Sequence, residues 1–260
     1  LERRVEERTA ELASAVRELE TFAYSVSHDL KAPLRAIDGY SHLLVEEHGG
    51  RLDGKARDYL ERVRSGARRM AELIDALLAY SRVERRALLP ETIPLGESVR
   101  LALTHAQEEV ASTGASVSVA VDGLVVRADR EGLAIVLRNL LGNALKFRKG
   151  AEAPRIEIGG ESSGGVCRFW VRDHGIGFDE VYAEKIFEIF QRLHRQEEFS
   201  GTGIGLALVR KAVERMGGLI RAESEPGHGA TFFVELPGAA SGKTPGAGAP
   251  GAERTSGSGG

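Results

Sequence analysis

For its first 86 residues the chain keeps one helical period, and the apolar stripe this leaves is more than a single hairpin can bury alone. Val5, Leu12, Leu19 and Val26 recur every seven residues, with Leu1, Arg8, Ala15 and Phe22 at the complementary seam position. This coiled-coil pattern runs directly into Ser25-Val26-Ser27-His28-Asp29-Leu30-Lys31-Ala32-Pro33. Pro33 has no N–H for the helical ladder and disfavours helical geometry at Ala32, so a bend is expected there. The period resumes through Leu34, Ile37, Leu43 and Leu44 and ends near Gly49-Gly50.

Asp53 stands where it can cap a second helix, which carries Leu60, Val63, Ala67, Met70, Ile74 and Leu77 at alternating spacings of three and four. Two such helices joined by a short loop form an antiparallel hairpin. Two copies pairing into a four-helix bundle would bury the stripe, so a homodimer through residues 1–86 is expected.

Composition narrows the function classes. A net charge of -3 gives no basic field for nucleic acid. No apolar run approaches the roughly 20 residues that span a bilayer, and no signal-peptide pattern opens the chain, so a cytoplasmic protein with no membrane segment is expected. The single cysteine, Cys167, excludes an internal disulfide and, within an apolar run, reads as a small core side chain.

After Arg85-Arg86 the period changes. Pro90 and Pro94 read as a linker, and residues 95–111 as one helix. Val117, Val119 and Val121 alternate as a strand, Leu124 to Arg127 form a short one, and Gly132 to Arg148 a helix. Ile156 and Ile158 alternate again. In the strand Val166 to Asp173, period two puts Cys167, Phe169, Val171 and Asp173 on one face. Ile204 to Met216 reads as a helix, and Leu219 to Ser224 and Ala230 to Leu236 as closing strands. The fold class is therefore a helical hairpin followed by an α/β sandwich. Gly, Ala, Ser and Pro dominate from Gly238, so the tail 238–260 is expected to be disordered. The domains read as a coiled coil over 1–22, the hairpin over 23–86 and the mixed domain over 87–237.

Three stretches of the mixed domain carry candidate chemistry. Asn139, Asn143 and Lys146 share one helix face by their spacings of four and three. They are either a solvated face or a site where amide oxygen meets Mg²⁺ and ammonium meets phosphate. Asp173-His174-Gly175-Ile176-Gly177 follows a strand directly and is either a turn or a place where backbone approaches a ligand. Gly201-Thr202-Gly203-Ile204-Gly205 runs into a helix N-terminus, whose N–H groups can bind phosphate. A dinucleotide-binding fingerprint needs a hydrophobic strand before its glycines, and the polar stretch Arg192 to Ser200 rejects it. That stretch reads instead as a mobile lid carrying Arg192 and Arg195.

In order and spacing these stretches resemble the sensor histidine kinases. His28 to Pro33 is similar to their histidine box, Asn139 to Lys146 to the asparagine box, and Asp173 to Gly177 and Gly201 to Gly205 to the two glycine boxes. Ile186-Phe187-Glu188-Ile189-Phe190-Gln191-Arg192-Leu193 is similar to the phenylalanine box. The match spans residues 20–237 and looks nearest to kinases behind PAS or phytochrome-type sensors. The resemblance implies a phosphotransfer hairpin and an ATP-binding domain of the Bergerat (Hsp90-like) fold. It implies Asn143 as Mg²⁺ ligand, Asn139 supporting metal and phosphates, Lys146 on phosphate, and Asp173 accepting from the adenine amino group. Gly175, Gly177, Gly201, Gly203 and Gly205 would shape the pocket, and Arg192 or Arg195 would neutralise the γ-phosphate. It further implies a response regulator receiver domain as partner and an upstream sensor, of which no domain lies within these residues.

On its own His28 is better explained as a seam histidine. Beside an ATP site it is the phosphoryl acceptor, since neutral imidazole is a competent nucleophile near pH 7. Asp29 would set its tautomer or take its proton, although adjacent helix positions do not face each other. Two rivals stand beside this reading. One is an ATPase of the same fold; the related ATPases carry a glutamate at the position of Asn139, and asparagine cannot serve as a base. The other is a non-catalytic dimeric scaffold. Many kinases of this type have threonine or asparagine four residues after the histidine, where Ala32 stands, so weak phosphatase activity is expected. Transfer within or between subunits depends on the connection over Gly49 to Gly54.

Overall fold

The computed structural model describes residues 29–193, 199 and 201–238. The coiled-coil reading of 1–22, His28, Arg195 and nearly all of the tail expectation lie outside the described residues. Residues 29–48 form helix α1, helical across Pro33, so the chain is not broken where a bend was expected. Helix α2 spans Gly54–Arg85, and Asp53 caps it by accepting from the Ala56 N–H at 2.7 Å. The two helices run side by side. Leu34, Ser41 and Ala67 are buried, and Asp38 bonds Arg68 at 2.9 Å and Arg64 at 3.3 Å across the hairpin.

Two rows at heptad spacing stay open. Leu30, Ile37 and Leu44 on α1 and Val63, Met70 and Leu77 on α2 are 41–50% exposed. The hairpin therefore buries one side of its stripe and leaves these rows uncovered.

The second half begins earlier than the prolines suggested. Pro90–Pro94 is a strand, β1, pairing antiparallel with β3 (Val125–Asp129), Pro90 opposite Asp129 and Pro94 opposite Val125. The prolines mark a strand rather than the expected linker, because in a two-stranded edge pair the missing N–H is tolerated and the φ of proline suits extended chain. The helix expected over 95–111 is two, α3 (Leu95–His105) and α4 (Gln107–Thr113), separated at Ala106, where ψ is 6°. No glycine or proline marks that break.

Strand β2 (Ser116–Ala120) is parallel to β4 (Arg155–Ser163). Strands β5 (Val166–Asp173), β7 (Gly229–Pro237) and β6 (Leu219–Glu225) continue the sheet antiparallel, in the order β2-β4-β5-β7-β6. Helices α5 (Arg130–Lys146) and α6 (Gly205–Arg215) lie against one face of this sheet. Leu133, Leu137, Leu140 and Leu141 of α5 meet Ile156, Ile158, Phe169, Val171 and Val234 in one fully buried core. The period-two reading of β5 holds, with Cys167, Phe169, Val171 and Asp173 all turned inward.

The end of α2 is fastened to this layer. Lys211 of α6 bonds Glu84 at 2.8 Å, and Arg215 donates to the carbonyls of Val83 and, at 2.7 Å, Arg86. Arg86 in turn pairs with the buried Asp129, which caps α5 through the Gly132 N–H at 2.8 Å.

Candidate functional site

Between α5, the start of α6 and the ends of β5 and β7 lies a cleft of about 250 Å³. Asn139, Asn143 and Lys146 line it, as their shared helix face required, together with Asp173, Gly177, Arg192, Gly201, Gly203 and Gly205. Three sequence stretches separated by some 30 residues each thus meet in one cavity. Its apolar wall is supplied by Phe147, Phe178, Ile186, Leu206 and Phe232. Ile186 belongs to the stretch that resembles the phenylalanine box, while nothing in the local pattern of the other four distinguishes a cleft-lining side chain from a core one.

Asp173 is the buried acid among the lining residues. The carboxylate is 6% exposed and accepts from the Gly175 N–H at 2.9 Å and the Ala230 N–H at 3.3 Å. Burial pushes its pKa up to about 6, against the pull of those two N–H groups and the neighbouring His174. The Gly175 position admits no side chain, because a Cβ there would lie 2.0 Å from the Phe147 carbonyl oxygen. The same contact lets the Ile176 N–H reach that oxygen at 2.9 Å, pinning the loop after β5 to the end of α5.

Other lining groups are polar or cationic. The Asn139 side-chain N–H donates to the Ile135 carbonyl one turn back at 2.8 Å, which presents its oxygen outward. Gly205 packs against that oxygen so closely that a Cβ would stand 2.8 Å from it. Lys146 has its pKa lowered, by burial first and by the charge of Arg192 second. Its ammonium lies 4.2 Å from the centre of the Phe147 ring. Arg192 is engaged with backbone, donating to the carbonyls of Gly201 at 2.6 Å and Phe199 at 2.7 Å. It therefore holds the glycine stretch in place while lining the cleft. Asp29 lies on α1 and is not among the residues that line this cavity, and His28 and Arg195 belong to the residues not described.

The donor set suits a nucleotide. One buried acceptor among apolar walls matches an aromatic base with an exocyclic amine, and two side-chain amides beside a lysine match a hard cation on phosphates. No helix among the described residues is long and apolar enough to cross a membrane.

Comparison with known proteins extends this. Residues 128–240 match the family model described as histidine kinase-, DNA gyrase B-, and HSP90-like ATPase, and residues 18–86 that of the His Kinase A (phospho-acceptor) domain. Cyanobacterial phytochrome A of Nostoc sp. is 40% identical over 85% of the chain, and the phytochrome-like protein Cph1 of Synechocystis sp. 37% identical over 85%. The chain spans 28% and 29% of their lengths, under a third of each. Among solved structures, full-length ShkA in complex with AMPPNP aligns with a TM-score of 0.62 and 26% identity, over 84% of this chain and 45% of that one. The catalytic domain of the histidine kinase ThkA aligns with a TM-score of 0.51 and 30% identity, over 58% of this chain and 97% of that one. ThkA in complex with the response regulator TrrA aligns with a TM-score of 0.58 and 25% identity, over 88% and 64%.

Proposed function

Since the chain belongs to the sensor histidine kinases, we propose that it binds ATP in the cleft between α5 and α6 and transfers the γ-phosphoryl group to His28. The observation that carries this is the set of groups that meet in the cleft. A single buried carboxylate, Asp173, lines it together with apolar side chains and with Asn139, Asn143 and Lys146 from one face of α5. On this reading Asp173 accepts from the adenine amino group, and Lys146 meets the phosphates. Asn143, supported by Asn139, would hold a magnesium ion, which when bound spreads the negative charge of the phosphates. Arg192 closes the glycine stretch over the phosphates by its bonds to Gly201 and Phe199. Gly175, Gly177, Gly201, Gly203 and Gly205 let backbone approach the nucleotide, and Arg195 is a second candidate for charge neutralisation.

In the transfer, an imidazole nitrogen of His28 forms a bond to the γ-phosphorus. The bond from that phosphorus to its bridging oxygen breaks, and ADP leaves with the electron pair. Asp29 takes up the proton that the ring then sheds, in the complex where the two domains meet.

The open rows Leu30-Ile37-Leu44 and Val63-Met70-Leu77 support a homodimer in which two hairpins make a four-helix bundle. The phosphoryl group passes on to an aspartate of a response regulator receiver domain, and the input comes from a sensor of the phytochrome or PAS kind. Ala32 leaves no polar side chain to orient water, so slow loss of phosphate from the regulator is expected; rapid, His28-dependent loss contradicts that. The two rival readings, ATP hydrolysis alone and an inert scaffold, separate from transfer in one experiment. Incubation with γ-labelled ATP and Mg²⁺ should give acid-labile, base-stable label on the wild type and none on His28→Gln, with ATP binding equal in both. ATP binding by a wild type that takes no label overturns the kinase reading.

A further inference from the structure

The hydrogen-bond pattern behind the cleft contains a relay that runs through one hydroxyl. Ser224, the penultimate residue of β6, accepts from the Phe178 N–H at 2.9 Å and donates to the Gly229 carbonyl at 2.7 Å. That carbonyl belongs to the same planar peptide unit as the Ala230 N–H, because a peptide fixes both groups in one plane. The Ala230 N–H is one of the two donors that hold the Asp173 carboxylate, at 3.3 Å. Fixing the Gly229 carbonyl therefore fixes the direction from which Asp173 is held. The other end of the relay, Phe178, lines the cleft directly.

The surrounding backbone is built around this contact. The Gly227 N–H reaches the Ile176 carbonyl at 2.6 Å, so the β6–β7 turn is tied to the loop after Asp173 on both sides of Gly177. A Cβ at Gly177 would lie 2.1 Å from the Glu225 carbonyl oxygen, and one at Gly229 would lie 2.0 Å from that of Asp173. The two segments are in backbone contact, and the Ser224 hydroxyl bonds both.

We propose that Ser224 is a positioning residue for nucleotide binding, its hydroxyl aligning the Gly229–Ala230 peptide and the Phe178 N–H so that Asp173 and the loop 175–178 face the base in one geometry. It touches neither nucleotide nor the reacting atoms in this account. The inference rests on the reading of the cleft as the nucleotide site.

Removing the hydroxyl leaves a half-buried N–H and a carbonyl to find new partners, a loss that corresponds to roughly tenfold in an equilibrium constant. Ser224→Ala should thus raise the Kd for ATP about tenfold by calorimetry and raise KM for ATP by a similar factor. The rate at saturating ATP should stay within about twofold, since His28 and the groups at the phosphate end are untouched. Ser224→Thr, which keeps the hydroxyl, should return Kd to within about threefold of wild type. The inference is overturned if Ser224→Ala binds ATP as wild type does, if the loss falls on the saturated rate with KM unchanged, or if Ser224→Thr binds as poorly as Ser224→Ala. A wild type that binds no ATP overturns the reading of the cleft, and this inference with it. That outcome is separate from the others because the calorimetry needs no phosphoryl transfer.

Discussion

Two buried aspartates end strands of the ATP-binding half, and their surroundings treat charge in opposite ways. Asp129, at the end of β3, is 2% exposed; Asp173, at the end of β5, is 6% exposed. Burial pushes both pKa values up. At Asp129 that push is outweighed by the N–H groups of Gly132 and Leu89 and by the guanidinium of Arg86, and the net shift is downward. At Asp173 two N–H groups and the neighbouring His174 do not outweigh it, and the pKa reaches about 6. Asp129 is a finished structural joint, clamping the hairpin exit to the start of α5. Asp173 is buried with its compensation incomplete, which costs stability unless a ligand supplies the missing donor.

The contrast can be broken most severely at Asp173. Asp173→Asn keeps an acceptor for Gly175 and Ala230 but presents a neutral amide to the base, and a loss of about 100-fold in ATP affinity is expected, read by calorimetry. The same substitution should raise the melting temperature at pH 8 by several degrees, because it relieves the buried charge. An intact affinity would remove Asp173 from the site.

The corresponding change at Asp129 should do the reverse. Asp129→Ala strips the α5 cap and leaves Arg86 facing Glu131 alone, so a loss of about 2–4 kcal/mol in unfolding free energy is expected by denaturant titration. ATP affinity, measured where the variant is still folded, should stay within about threefold of wild type. A stable variant with lost affinity would invert the assignment.

A smaller effect sharpens the comparison through pH. The folded pKa of Asp173 is raised from 3.8 to about 6, so the folded protein holds that proton more tightly than the unfolded chain. Its contribution to stability is full below pH 3.8 and is lost as pH rises towards 6, an amount on the order of 1–3 kcal/mol. Asp129 acts oppositely, its contribution being present above 3.8 and lost as pH falls through its lowered folded pKa. Nucleotide-free wild type should therefore lose more stability between pH 5 and pH 7.5 than Asp173→Asn does. Equal pH dependence in the two proteins would mean that Asp173 is ionised at no cost.

These pairings also mark where sequence stops being informative. The inward position of Asp173 followed from period two along β5, and the common face of Asn139, Asn143 and Lys146 from helical spacing, because both are local repeats. The cap by Asp53 was legible for the same reason. The clamp at Asp129 was not, since Arg86 lies 43 residues away and only the folded chain brings them together. Ser224 was invisible for the same cause, 46 residues from Phe178. The strand Pro90–Pro94 was misread because proline was judged by the N–H it lacks rather than by an edge where that N–H is not needed. The break at Ala106 has no residue that signals it.

The most direct test is the protonation of Asp173 itself, followed by carboxyl-carbon NMR with the resonance assigned from its absence in Asp173→Asn. The incomplete compensation at this site predicts titration near pH 6 in the free protein and a clear fall on saturation with ATP, as the base supplies the missing donor. Titration below pH 4 without nucleotide, or a value that ATP leaves unmoved, would contradict the claim that this buried carboxylate is held ready for a ligand.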